Sequence, residues 1–225
     1  MKTLKIQAFL YPMLVFCGLG CFSKNNFEGR ITYVNNFIPL HKNMSVEYLK
    51  EKYGDTVVIK FKNGFYKHEY NTNTEDAIKE LTYHPTTNKA YMKIGKSDTL
   101  IWFSCLNTPR KLYNKNTKES EGLILNKACR TIEFESAFEQ ENLVYNITTR
   151  FFYSPDYLCI DPSLMEMHGE GYLSEYFKIA KSMYLRYDYV EHEAFEKQQI
   201  AIEALNLKID MSEFYVDTLK TKPFY

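Results

Sequence analysis

Few residues of this chain have a type and spacing that could do chemistry, and the first of them is Cys21. Gly18-Leu19-Gly20 stands directly before it, behind an apolar run from Ile6 to Leu19 and a start that holds Lys2 and Lys5. A basic start, a short apolar core and small residues before a cut site form an export signal, expected here over residues 1–20. A cysteine left at the new N-terminus offers a thiol for acylation, so Cys21 is the expected lipid attachment. Position 18 is Gly where a lipobox usually has Leu, which leaves ordinary cleavage after Gly20, without a lipid, as the alternative. Cys17 is the weaker attachment point because bulky Phe16 precedes it. The apolar run falls short of the roughly 20 residues of a membrane span. It also holds Gln7, Tyr11 and Pro12, so a retained anchor helix is the lesser reading.

The other reactive side chains are sparse. Glu166-Met167-His168-Gly169-Glu170 puts an imidazole between two carboxylates, a pattern suited to proton transfer or metal binding but also to an ordinary polar loop. His192-Glu193-Ala194-Phe195-Glu196 begins like the zinc motif HExxH, yet Glu196 stands where the second histidine belongs. A solvated turn is the expectation there. Ser154-Pro155-Asp156 and Asp161-Pro162 read first as turn residues. No serine sits in GxSxG, no glycine-rich phosphate loop occurs, and no cysteine pair has zinc spacing. No metal site and no cofactor are expected. An enzyme is the minor alternative, as a hydrolase-like site near His168.

An exported protein can keep disulfides. Cys105, Cys129 and Cys159 follow the expected signal, and three thiols leave at least one unpaired. Cys105 ends one predicted strand and Cys129 lies in the next, which makes a Cys105–Cys129 bridge the first candidate. Cys129–Cys159 competes with it, and three free thiols remain an equal alternative.

These residues must be positioned by a sheet. Tyr and Phe number 19 and 16, against 9 Gly and 7 Pro. Aromatic and β-branched residues broken by short polar stretches favour strands. Lys and Arg equal Asp and Glu at 28 each, with no basic stripe, so nucleic acid is not an expected partner. The length suits one domain, expected over residues 27–217, after a polar tether at 21–26 and before a tail at 218–225.

Along the chain, 27–34 reads as a first strand. Ser45 then caps a short helix from Val46 that Gly54 stops. Thr56 to Phe61 and Phe65 to Tyr70 flank Asn63-Gly64, the signature of a type I′ hairpin. A meander continues through 77–83, 90–94 and 99–105. Residues 107–121 are polar without an apolar period and read as a loop. Residues 123–138 and 143–153 form a second long hairpin, with one face of the first strand wet. Residues 154–171 are irregular, 172–180 a short helix, and 183–190 and 195–207 a last strand pair. The helical propensity of Gln198 to Leu205 is an alternative for the final piece. The sum is mainly β: nine or ten antiparallel strands with one or two short helices, in a sandwich or a part-open barrel.

The order of these pieces resembles a group of Bacteroidota-type envelope lipoproteins of unassigned function. The likeness rests on the signal, the opening strand Phe27-Glu28-Gly29-Arg30-Ile31-Thr32-Tyr33, and Lys60-Phe61-Lys62-Asn63-Gly64-Phe65-Tyr66. It continues in Ile124-Leu125-Asn126-Lys127-Ala128-Cys129, where relatives tend to carry Gly at 126. Phe152-Tyr153-Ser154-Pro155-Asp156 through Ile160-Asp161-Pro162 completes it. Such proteins look like distant relatives of the half-barrel carriers typified by LolA and LppX. The resemblance implies a curved sheet around an apolar cavity, and one scaffold hosts many functions. The implied function is a non-enzymatic binding or carrier module for an apolar or acyl ligand. It would be tethered to a bacterial envelope membrane through its N-terminal lipid and face the periplasm. The alternative is a structural or interaction protein of the envelope with no small ligand. Replacing Cys21 with Ser is expected to shift the protein from the membrane to the soluble fraction and to abolish incorporation of labelled palmitate. A Cys21→Ser protein that still carries the label would move the attachment to another cysteine.

Overall fold

The computed structural model describes residues 26–72 and 74–224. The expected signal, Cys21 and all of the expected tether but Asn26 lie outside the described residues. The described chain builds one sheet of twelve strands. The first six are β1 (Gly29–Pro39), β2 (Thr56–Lys62), β3 (Phe65–Tyr70), β4 (Ile78–His84), β5 (Lys89–Ile94) and β6 (Leu100–Ser104). The rest are β7 (Lys111–Ile124), β8 (Lys127–Gln140), β9 (Leu143–Tyr153), β10 (Tyr184–Glu191), β11 (Phe195–Asn206) and β12 (Thr221–Pro223). Helix α1 (Val46–Tyr53) follows β1, and α2 (Leu173–Ala180) lies between β9 and β10.

The sheet is antiparallel except for β12, which runs parallel to β6. Strand β1 sits inside it, paired with β2 on one side and β11 on the other. From β1 one meander fans out through β2 to β6, and the other runs back from β11 to β7. Strands β7 and β12 are free edges, so the curved sheet is an unclosed, half-barrel-like wrap. Register shifts at Thr32/Tyr33 and at Tyr184/Arg186 mark bulges in its middle, where an extra residue bends a strand.

Local chemistry accounts for many of these elements. Ser45 accepts the Tyr48 N–H at 3.0 Å and starts α1, and Gly54 at φ +77° ends it. Asn63 and Gly64 take φ of +50° and +83°, the two positive values a type I′ turn requires. Leu125-Asn126 and Glu141-Asn142 make the same kind of two-residue turn. The stretch expected as one strand over 123–138 is therefore broken into the β7–β8 hairpin. The expected loop at 107–121 is in large part β7, a polar edge strand with Lys111, Lys115 and Lys118. Charged edges of this kind discourage pairing with another chain. The expected tail contributes β12.

Inward-facing positions form the core. Ile31 and Tyr33, Ile59 and Phe61, and Ile132, Phe134 and Phe151 are all almost fully buried. Their face is covered by the segment between β9 and β10. A short 3₁₀ turn, Pro162–Met165, opens on Asp161, whose carboxylate accepts the Ser163 N–H at 2.9 Å. Helix α2 then lays Tyr176 on Phe151, ring centroids 4.5 Å apart. The Tyr176 hydroxyl donates to the Ser182 carbonyl at 2.9 Å, and that of Tyr33 to the Tyr184 carbonyl at 2.8 Å. Buried phenols are thus paired, as burial demands. At the other end of the face, α1 closes a smaller cluster of Leu49, Phe37 and Phe195.

The outer face carries charge ladders. Arg150 meets Glu133 at 2.6 Å, and Arg186 grips buried Asp188 through two bonds of 2.7 and 2.8 Å. No described helix is long and apolar enough to cross a membrane. Phe151 touches Phe134, Tyr176, Tyr184 and Tyr187, so Phe151→Ala is expected to cost about 3–5 kcal/mol of unfolding free energy in urea titration. Phe152→Ala, on the half-buried outer side, is expected to cost less than half of that.

Candidate functional site

Between the α1 end and the α2 end of the inner face the covering is incomplete, and a partly open cavity of about 210 Å³ remains. Its walls come from far apart in the chain. Strand β3 contributes Tyr66, His68 and Tyr70, which share one face at every second position. Strand β11 contributes Lys197 and Gln199, and β10 contributes Tyr184 and Tyr187. The roof is the stretch from His168 to Leu173, and Arg110 enters from the chain just before β7. Apolar wall comes from Leu81, Phe103, Phe151 and Leu173. A smaller apolar annex of about 30 Å³ shares Tyr66, His68, Leu173 and Tyr184 with the main cavity and reaches Phe61, Met165 and Phe177.

The roof is held by backbone bonds. The N–H groups of Gly169 and Glu170 both donate to the Cys105 carbonyl, at 2.7 and 3.2 Å. Only glycine allows this approach, because a Cβ at 169 would stand 2.3 Å from the Leu106 carbonyl oxygen. Asn88 donates to the Met167 carbonyl at 2.7 Å and accepts from the Tyr83 hydroxyl at 2.6 Å. His168 is thereby fixed with its ring 4.4 Å from that of Tyr83 and its Nε2 2.7 Å from the Tyr66 hydroxyl. It is 1% exposed, and its Nδ1 has no hydrogen-bond partner.

Burial sets the electrostatics. It pushes the His168 imidazole down to about 4 and that of His68 to about 3, so both rings are neutral near pH 7. It pushes the Cys105 thiol up to about 12, which keeps the sulfur protonated. The Glu170 carboxyl is raised by burial and drawn back by Arg110, whose Nη2 lies 3.9 Å away. The other guanidinium nitrogen, Nη1, is buried without a partner. Lys197 is the outlier. Among the described residues its ammonium has no ion pair and no hydrogen bond. Its neighbours are the rings of Tyr53 and Tyr187, 5.6 and 5.7 Å from the nitrogen. Burial alone brings it down to about 8, so near pH 7 it is still mostly charged.

Of the residues singled out in the sequence, His168 reaches this cavity together with Glu170, while Glu166 stays exposed outside it. His192 lies in the exposed β10–β11 turn, bonded to the Thr148 hydroxyl at 2.8 Å, and no described cluster of His, Cys, Asp and Glu could hold a metal. Cys105 and Cys129 are free thiols. The expected Cys105–Cys129 bridge presumed that consecutive strands pair. Cys105 instead follows β6, whose neighbours are β5 and β12, and Cys129 sits on β8 between β7 and β9, far across the sheet. Arg110 and Lys197 were not singled out. The signal for Lys197 was the alternation Phe195, Lys197, Gln199, Ala201, which puts an apolar residue at each end of the lysine's own face. No protein-family model matches the sequence, and no curated protein matches it.

His68 and His168 bind protons far less readily folded than unfolded. Their stabilising contribution is complete above about pH 6.5, the free-imidazole value, and is lost as pH falls through the folded values near 4 and 3. Each ring adds up to about 1.4 kcal/mol per pH unit to that slope. Urea unfolding at pH 7, 6, 5 and 4.5 is expected to show a steep decline, and His168→Gln to flatten it measurably. An unchanged slope would mean that His168 is protonated in the fold.

Proposed function

We propose that this protein is a non-enzymatic binding module of a bacterial envelope, tethered through Cys21, with its half-barrel facing the periplasm and holding one small ligand. The cavity between the inner sheet face and the 154–183 segment carries this reading. A domain that buries its core this thoroughly elsewhere leaves the space lined by a few converging polar groups on an otherwise apolar and aromatic wall. That is the usual character of a ligand site. The resemblance to half-barrel lipoprotein carriers, stated above, supports the same reading.

Size bounds the ligand. A partly open cavity of about 210 Å³ suits a short acyl or aromatic molecule better than a whole diacyl lipid. The polarity of the wall argues for holding rather than turnover. Its two histidines are neutral and its thiol protonated, and the imidazole that meets a hydroxyl there, His168 on Tyr66, is held a weak base by burial.

Native mass spectrometry of protein purified without detergent, followed by solvent extraction, is expected to give a reproducible small amphipathic compound in near one-to-one ratio. Leu173→Trp, which fills the cavity from its roof, is expected to remove that compound while leaving the fold's circular dichroism intact. Protein that is always empty, and that co-purifies with an envelope protein instead, would make it an interaction protein without a small ligand.

A further inference from the structure

The cavity is not uniform, and its charges do not balance. Arg110 and Glu170 answer each other across 3.9 Å. His68 and His168 stay neutral near pH 7, for the reasons given above. Lys197 remains, with aromatic rings and no carboxylate beside it. The lining therefore holds one unanswered positive charge. Two buried donors of the same lining have no partner among the described residues: Nη1 of Arg110, and the His168 ring through its Nδ1. The Tyr66 hydroxyl has His168 Nε2 as its hydrogen-bond partner, 2.7 Å away. If the phenol donates there, Nδ1 carries the imidazole proton and is free to donate in turn.

We propose that this end of the cavity is a carboxylate subsite, in which Lys197 pairs with the anion, Arg110 and His168 donate hydrogen bonds to it, and the ligand's apolar body extends towards Leu81, Leu173 and the annex. A single negative charge matches the lining, whereas a phosphate dianion would overfill it and leave a second charge buried. A half-buried cation with no partner among the described residues is costly, and perturbed groups of this kind cluster at functional sites. The subsite rests on the reading of the cavity as a ligand site, and the two can fail separately.

Hexanoate and hexanamide have nearly the same shape and differ in charge, and both fit the volume. Chemical-shift titration of the wild-type protein at pH 7 is expected to show hexanoate binding at least tenfold more tightly than hexanamide. Lys197→Met is expected to erase that difference while leaving hexanamide binding within about twofold, and Lys197→Arg to retain most of it. Equal binding of the two probes to the wild-type protein would overturn the carboxylate subsite and leave the ligand site standing. Shifts from neither probe at the cavity residues would overturn both. The wild-type comparison decides the question even if the lysine variants do not fold.

Discussion

An open, curved sheet cannot leave its inner face wet, and the rest of this structure depends on how that face is covered. Aromatic residues on β2, β3, β8 and β9 present Phe61, Tyr66, Phe134 and Phe151 to one side. Burying a side chain of that size is worth roughly 1.5–3 kcal/mol, so exposing several together would exceed the margin of an ordinary domain. A closed barrel would solve this by joining its edges. Here a chain excursion between β9 and β10 solves it instead, by laying Met165, Tyr172, Tyr176 and Phe177 across the face. The excursion is clamped at its base, where Ile160 and Lys181, and Met183 and Leu158, exchange backbone bonds of 2.9 and 3.0 Å. Its far side is tied to β6 through the Cys105 carbonyl. The cavity is the space this cover leaves uncovered.

That geometry explains why polar residues collect there. A strand alternates its faces, so β11 cannot place Phe195 and Ala201 inward without also sending Lys197 and Gln199 inward. Apolar side chains at 197 and 199 would have packed against Tyr53 and Tyr187 without electrostatic cost. The lysine instead carries a desolvation penalty that brings its pKa down to about 8. The same strand's outer face shows the contrast, since the charges there are spent in pairs such as Arg30 and Glu203 at 3.1 Å.

Much of the fold was legible because local chemistry and tertiary structure agree. Asn63-Gly64, the Ser45 cap and the Gly54 stop each specify one backbone shape, and each is found. Mainly β character and the last strand pair followed from alternation, which overrode the helical propensity of Gln198 to Leu205. The misses have physical causes. Leu125 takes positive φ at real steric cost, so nothing in its type announces the turn between β7 and β8, whereas the turn at Glu141-Asn142 falls where the second hairpin was expected. Strand β7 is polar on both faces because it is an edge, and an edge strand needs no apolar period. Strand β12 is three residues held by β6, a pairing with no local signature. The candidate site was half legible. His168 drew notice for its neighbours in sequence, but its real partners, Tyr66 and Tyr83, are distant in the chain. Arg110 was hidden in a segment read as loop. Lys197 lies between Phe195 and Ala201 on the inward face of β11, and only the pairing of that strand decides which face is inward.

Charge and stability meet at the same lysine. A group that must be neutralised, paired or left costly in the fold makes the unliganded state the expensive one. An anion that binds the native cavity and not the unfolded chain lowers the native state by its binding free energy, part of which is relief of the penalty carried by Lys197. The two histidines keep this coupling steady: being neutral, they add no competing positive charge at any pH near 7, and Glu170 is engaged with Arg110. The cavity's unanswered charge is therefore set by one residue across that range. The aromatic cover, chosen by the need to dry an open sheet, in this way also fixes where, among the described residues, Lys197 is left without an opposite charge.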